Sequence, residues 1–96
     1  MYGTVARFRG KPGMVEAMVA LDEEFAANPP PGFVANYVYQ MDDDANEFFM
    51  TVLFESREAY EANANSPEQR EFYLKWRDLL EADPEWHDGV VVFAAS

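Results

Sequence analysis

The side chains that could carry chemistry in this chain are few. His87 is its only histidine. It is therefore the one group whose ordinary pKa makes it a ready proton acceptor near neutrality; the alternative is a solvent-facing loop residue beside Asp88. Tyr73 and Trp76 stand three apart in a helical stretch and share a face, where a phenol and an indole N–H can be offered to a ligand, or can pack in a core with their polar tips satisfied by backbone. Asn63 can orient a ligand hydroxyl, although asparagine also favours helix ends for its own reasons. Tyr60 adds a second phenol.

Several chemistries are excluded or unsupported by what is missing. There is no Cys, so a disulfide framework, a thiolate metal site and a cysteine nucleophile are ruled out. One histidine with Glu85 and Asp88 nearby is no metal ligand set, and no metal is expected. No phosphate-cradling glycine loop, nucleophile elbow or dinucleotide fingerprint occurs. Eighteen acidic against seven basic residues give a formal charge of −11, a field that repels nucleic acid and anionic membranes. No apolar run approaches the length of about 18 residues needed to cross a bilayer. A cytoplasmic protein is expected, with no nucleic-acid or membrane partner.

The elements that must position these groups follow from periodicity. Tyr2 to Arg9 alternates and is closed by Gly10, Pro12 and Gly13, a first strand and turn. Met14, Met18, Leu21 and Phe25 then fall on one helical stripe, with Glu16, Asp22, Glu23 and Glu24 largely off it. This first helix ends at Asn28 before Pro29, Pro30 and Pro31. Phe33–Met41 and Glu47–Glu55 form a hairpin around the turn residues Asp42 to Asn46. Ser56 caps a short helix through Asn63. Ser66, Pro67 and Gln69 supply an N-cap, a proline at the first helical position and a capping-box glutamine for a helix from Pro67 to about Ala82. After a polar loop, Glu85 to Gly89, the run Val90 to Ala95 makes a last strand.

Strand, helix, strand, strand, helix, strand is the ferredoxin-like βαββαβ order of an α+β domain, an antiparallel sheet with helices on one face. All 96 residues fit one such domain. A chain of this length buries roughly 60 to 65 % of its unfolded surface, and its strands are apolar on both faces: Phe48, Met50, Val52 and Phe54 oppose Phe49, Thr51 and Leu53. Helices cover one face only, so a second copy packed sheet to sheet is expected, giving a homodimer. Tyr37 and Tyr39 share one face of their strand and Asn36 and Gln40 the other; the sequence leaves open which faces the helices.

Val5 to Arg9 with Pro12 and Gly13, then Pro31-Gly32-Phe33, the segment Leu53 to Glu61, and Ser66-Pro67 together resemble the antibiotic biosynthesis monooxygenase family along nearly the whole chain. The resemblance implies a dimeric α+β barrel, and an activity without metal, flavin or haem: an aromatic polyphenol or quinol is bound between helices and sheet, deprotonated, and allowed to react with oxygen. It makes His87 and Tyr73 the candidate catalytic groups and Tyr60, Asn63 and Trp76 the candidate substrate-binding groups. The haem-degrading branch of the superfamily depends on an asparagine, a tryptophan and a histidine where this chain has Ala6, Asn63 and Tyr73, so haem is not expected. A non-catalytic small-molecule-binding or stress-related dimer, and an isomerase or decarboxylase on the same scaffold, are the competing readings.

Overall fold

Alternation decides the first element. In the computed structural model, which describes residues 1–96, β1 (Tyr2–Arg9) turns Thr4, Ala6 and Phe8 into the interior and leaves Val5 and Arg7 outside. The remaining elements are α1 (Val15–Ala27), β2 (Phe33–Gln40), β3 (Glu47–Phe54), α2 (Arg57–Ala64), α3 (Pro67–Arg77) and β4 (Glu85–Val90). The four strands form one antiparallel sheet in the order β2-β3-β1-β4, and the helices pack on one face of it. The ferredoxin-like α+β expectation holds.

Local signals explain the helix starts. Ser56 Oγ accepts from the Ala59 N–H at 3.1 Å and Ser66 Oγ from the Gln69 N–H at 3.1 Å, each satisfying one orphan donor of a first turn. Ser66 Oγ also donates to the Asn63 carbonyl at 2.9 Å, which locks α2 and α3 into a tight corner. Gly32 has a positive φ of 81°, a conformation open to glycine without strain, and its carbonyl accepts from the Glu55 N–H at 2.7 Å. At Gly3 the demand is space: an added Cβ would run into the Val52 carbonyl of β3.

The core lies between sheet and helices. Phe8 stacks on Phe48 at 5.2 Å and meets Trp76 edge-on at 4.8 Å, with Met14, Met18, Met50 and Leu80 around them. Only 13 of 96 residues are buried, so the protomer's own core is thin.

Two expected boundaries are corrected. The third helix ends at Arg77, not near Ala82, because the following residues are drawn onto the sheet: the Leu79 carbonyl accepts from the Lys11 N–H, Leu80 bridges to Gly10, and the Glu81 N–H donates to the Arg9 carbonyl. The last strand is Glu85–Val90 and not Val90–Ala95. Its ladder with β1 closes at Tyr2 opposite Val90, followed by one bond from the Val91 N–H to the Met1 carbonyl at 2.9 Å. Val92 and Phe93, 93 % and 81 % exposed, pair with nothing in the protomer.

The sheet's second face carries no helix. Asn36 and Val38 turn to the helices, opposite Val52 and Met50, while Tyr37 and Tyr39 lie on the open face at 59 % and 58 % exposure, with Val5 on the same face two strands away.

Candidate functional site

Register places the polar groups of the helix-covered face on one line. Thr4 of β1 and Asn36 of β2 are both paired with Val52 of β3, and Thr4 is paired on its other side with Asp88 of β4. The row Asn36, Val52, Thr4, Asp88 thus crosses all four strands. Above it lies a cavity of about 780 Å³, within the range of small-molecule sites. Met50, Val52 and Phe54 give it an apolar floor, and Phe25, Phe72 and Trp76 line its helical walls.

Two side-chain oxygens of residues that line this cavity, Thr4 Oγ1 and Asn36 Oδ1, are buried with no hydrogen-bond partner. Thr4 is only 4 % exposed. Its hydroxyl is close enough to the Tyr60 phenol to bias that group's titration, yet no well-formed bond joins them. Buried polar atoms of this kind are rare, because each forfeits its hydration. Both are unused acceptors on the helix-covered face of the sheet.

Two titratable groups in the cavity are displaced from their ordinary values. Asp22, on α1, is half-buried, makes no ion pair, and is pushed up to about 6 by loss of solvent. A carboxylate raised in this way becomes a useful base near neutral pH. Tyr60, on α2, donates to Asp88 Oδ1 at 3.0 Å. Burial first, and then that carboxylate, push its phenol up to about 12. Tyr60 is thus a fixed neutral hydroxyl and not a base.

The structure brings four of the five residues expected from sequence to this cavity. Tyr60, Asn63, Tyr73 and Trp76 all line it. The Asn63 carbonyl is held in the helix corner, and Tyr73 is flanked by Trp76 at 6.1 Å and Trp86 at 6.3 Å. His87 is the exception. The segment read as a loop is strand β4, in which His87 pairs with Val5 and alternation turns it to the open face; its neighbours Trp86 and Asp88 line the cavity instead. Its expected place in the pocket is corrected by that register.

Sequence reasoning missed Thr4, Asp22, Trp86 and Asp88. For Asp22 a signal existed, since it lies four residues after Met18 and so borders the buried stripe of α1. No three His, Asp or Glu side chains converge anywhere in a set that could hold a metal ion.

The comparisons agree with this architecture. The family profile described as "Antibiotic biosynthesis monooxygenase" matches residues 1–75. A search of curated proteins gives no match. Among solved structures, a protein of Chloroflexus aurantiacus J-10-fl, provisionally named an antibiotic biosynthesis monooxygenase, is 28 % identical, with 99 % of this chain and 96 % of that chain covered and a TM-score of 0.78. SnoaB of Streptomyces nogalater, a cofactor-independent oxygenase, superposes with a TM-score of 0.81 at 18 % identity over 97 % and 94 % of the two chains. Rv0793 of Mycobacterium tuberculosis gives 0.76 at 21 % identity over 99 % and 98 %. At those two identities the likeness is one of fold.

Proposed function

Since the chain belongs to the antibiotic biosynthesis monooxygenase family, we propose that it is a cofactor-independent monooxygenase acting on a quinol or aromatic polyphenol, and that it works as a homodimer. The observation that carries this reading is the cavity itself: largely apolar and aromatic, of small-molecule size, with two partnerless buried oxygens and Asp88 in the row of strand residues beneath it. A flat hydroxylated ring system has the complementary surface, with apolar faces for Val52 and Phe72 and hydroxyls for Thr4 and Asn36.

The chemistry balances without a resident cofactor. Loss of a ring-hydroxyl proton gives an electron-rich phenolate that reacts with dioxygen. One oxygen atom enters the product as a carbonyl at a ring carbon, and the other leaves as water, whose two hydrogens balance the hydroxyl proton and the single hydrogen lost from that carbon. The chain's part is to exclude water, hold the ring and manage the proton. Asn63 and Tyr60 present polar groups to the substrate, while Tyr73 and Trp76 supply the aromatic wall. Tyr73 is a further proton-handling candidate because it lines the same cavity.

The homodimer is supported by the open sheet face with Val5, Tyr37 and Tyr39, by the apolar tail at Val92 and Phe93, and by the thinness of the protomer core. Apolar area of this extent is uncommon on a monomer.

The test is oxygen uptake by the purified protein with naphthohydroquinones, catechols and anthrones, in the presence of a metal chelator. Saturable uptake above the spontaneous rate is expected. Ligand binding with no uptake across the panel overturns the oxygenase reading in favour of a binding protein, and turnover that persists without oxygen points to an isomerase or decarboxylase.

A further inference from the structure

Resting on the reading above, we propose that Asp22 is the catalytic base, its carboxylate accepting the proton of the substrate's ring hydroxyl at the β2 end of the cavity. In this step the substrate O–H bond breaks, its electron pair stays on the phenolate oxygen, and a new O–H bond forms on the carboxyl group. The proton returns to solvent once the product leaves.

Three independent features converge here. Asp22 faces both the main cavity and an adjoining groove between α1 and β2, and it shares both with Asn36. Neither the Asp22 carboxylate nor Asn36 Oδ1 has a donor within the chain. The Asp22 carboxylate is thereby left free to accept an O–H or N–H from a ligand in the cavity. Phe25, one turn along α1, closes the same end by packing on Phe33 at 5.1 Å and Phe72 at 5.3 Å. This partial burial raises the carboxylate's basicity, the direction desolvation produces.

Several titratable groups border the same space, and two of them are already engaged. On α1 itself Glu23 borders the groove; α2 contributes Tyr60, α3 contributes Arg70 and Tyr73, and β4 contributes Asp88, while β2 offers only the uncharged Asn36 and Gln40. Asp88 already accepts the Tyr60 hydroxyl, and a phenol at about 12 does not take up a proton. Arg70 makes no ion pair with Asp22 and so leaves its carboxylate free to accept.

Two measurements on the full-length protein separate this assignment from the oxygenase reading. The first is binding of 1-naphthol, followed by fluorescence as pH is varied through 6. Affinity is expected to be about ten-fold higher on the alkaline side, where Asp22 is ionised, with no such step in Asp22→Asn. The second is oxygen uptake with a naphthohydroquinone. An acid limb in kcat/KM near pH 6 is expected, with a loss of about 100-fold or more in Asp22→Asn and none in Glu24→Gln, an exposed neighbour that reports on helix integrity. Absence of the binding step in the wild type, or its persistence in Asp22→Asn, overturns the assignment. So does wild-type turnover by Asp22→Asn, which would leave the oxygenase reading standing. A binding step without any oxygen uptake would do the reverse, supporting Asp22 as the acceptor while sinking the oxygenase.

Discussion

Thr4 and Asn36 are paired in register with the same residue, Val52, from opposite sides. Two strand spacings set their backbones about 10 Å apart, so the two buried oxygens without partners flank one apolar side chain. A fused aromatic ring lying over Val52 would present its edges toward both. This relationship arises from strand pairing alone, since the residues are far apart in sequence.

Thr4→Val removes a buried hydroxyl that bonds to nothing. It is expected to stabilise the free protein by about 1 kcal/mol, a rise of about 4 to 8 °C in Tm for a domain of this size. The same change should weaken substrate binding. Calorimetric melting combined with KM measurement checks both, and a loss of stability would mean that the hydroxyl has a partner in solution.

Asp22→Asn should alter stability with a defined pH dependence. The carboxyl group's value in the folded state, about 6, lies above its ordinary 3.8, so it favours folding below 3.8 and loses that contribution as pH rises through 6. After allowance for its partial exposure to solvent, the loss is about 1 to 2 kcal/mol. The asparagine variant is therefore expected to be the more stable protein at neutral pH and to gain nothing at acid pH. Urea midpoints measured on the two sides of that window decide it; an advantage that is independent of pH would refute the linkage.

His87→Gln tests the geometric correction. Histidine as a residue type titrates in the same range as the raised Asp22 carboxyl, so an acid limb in turnover does not by itself identify its source. With His87 on the open face, opposite Val5, the limb should survive the substitution. Its disappearance would return the imidazole to the mechanism.

Tyr37→Glu combined with Tyr39→Glu places two charges on the open face of β2. If that face is covered by a second copy, light scattering should show a shift from dimer to monomer, with circular dichroism retained because neither ring is part of the protomer core. An unchanged mass would place the interface elsewhere.

Much of the fold was legible in the sequence because its signals are local. The serine caps at Ser56 and Ser66, Pro67 at the first position of α3, the prolines after Asn28 and the stripe Met14, Met18, Leu21 and Phe25 each act within a few residues, and each reappears in the structure. The candidate site was legible where helix faces define it, at Tyr60, Asn63, Tyr73 and Trp76. It failed at β4, where Glu85 to Gly89 reads as a polar loop. An edge strand tolerates charged residues that an interior strand would not, and the apolar run after it has the better strand composition but nothing in the protomer to pair with.

Composition and periodicity by themselves determined the α+β class, the order of the elements and the excess of apolar strand surface, because these depend on side-chain type and spacing along the chain. Only the tertiary structure decided that Asn36 and not Tyr37 faces the helices, that Trp86 and Asp88 line the cavity while His87 does not, and that Asp22 lines the cavity and is partly buried there. The reason is physical: strand faces alternate residue by residue, so a register shift of one exchanges every side chain between pocket and exterior, and a carboxylate's basicity is set by neighbours brought to it by folding.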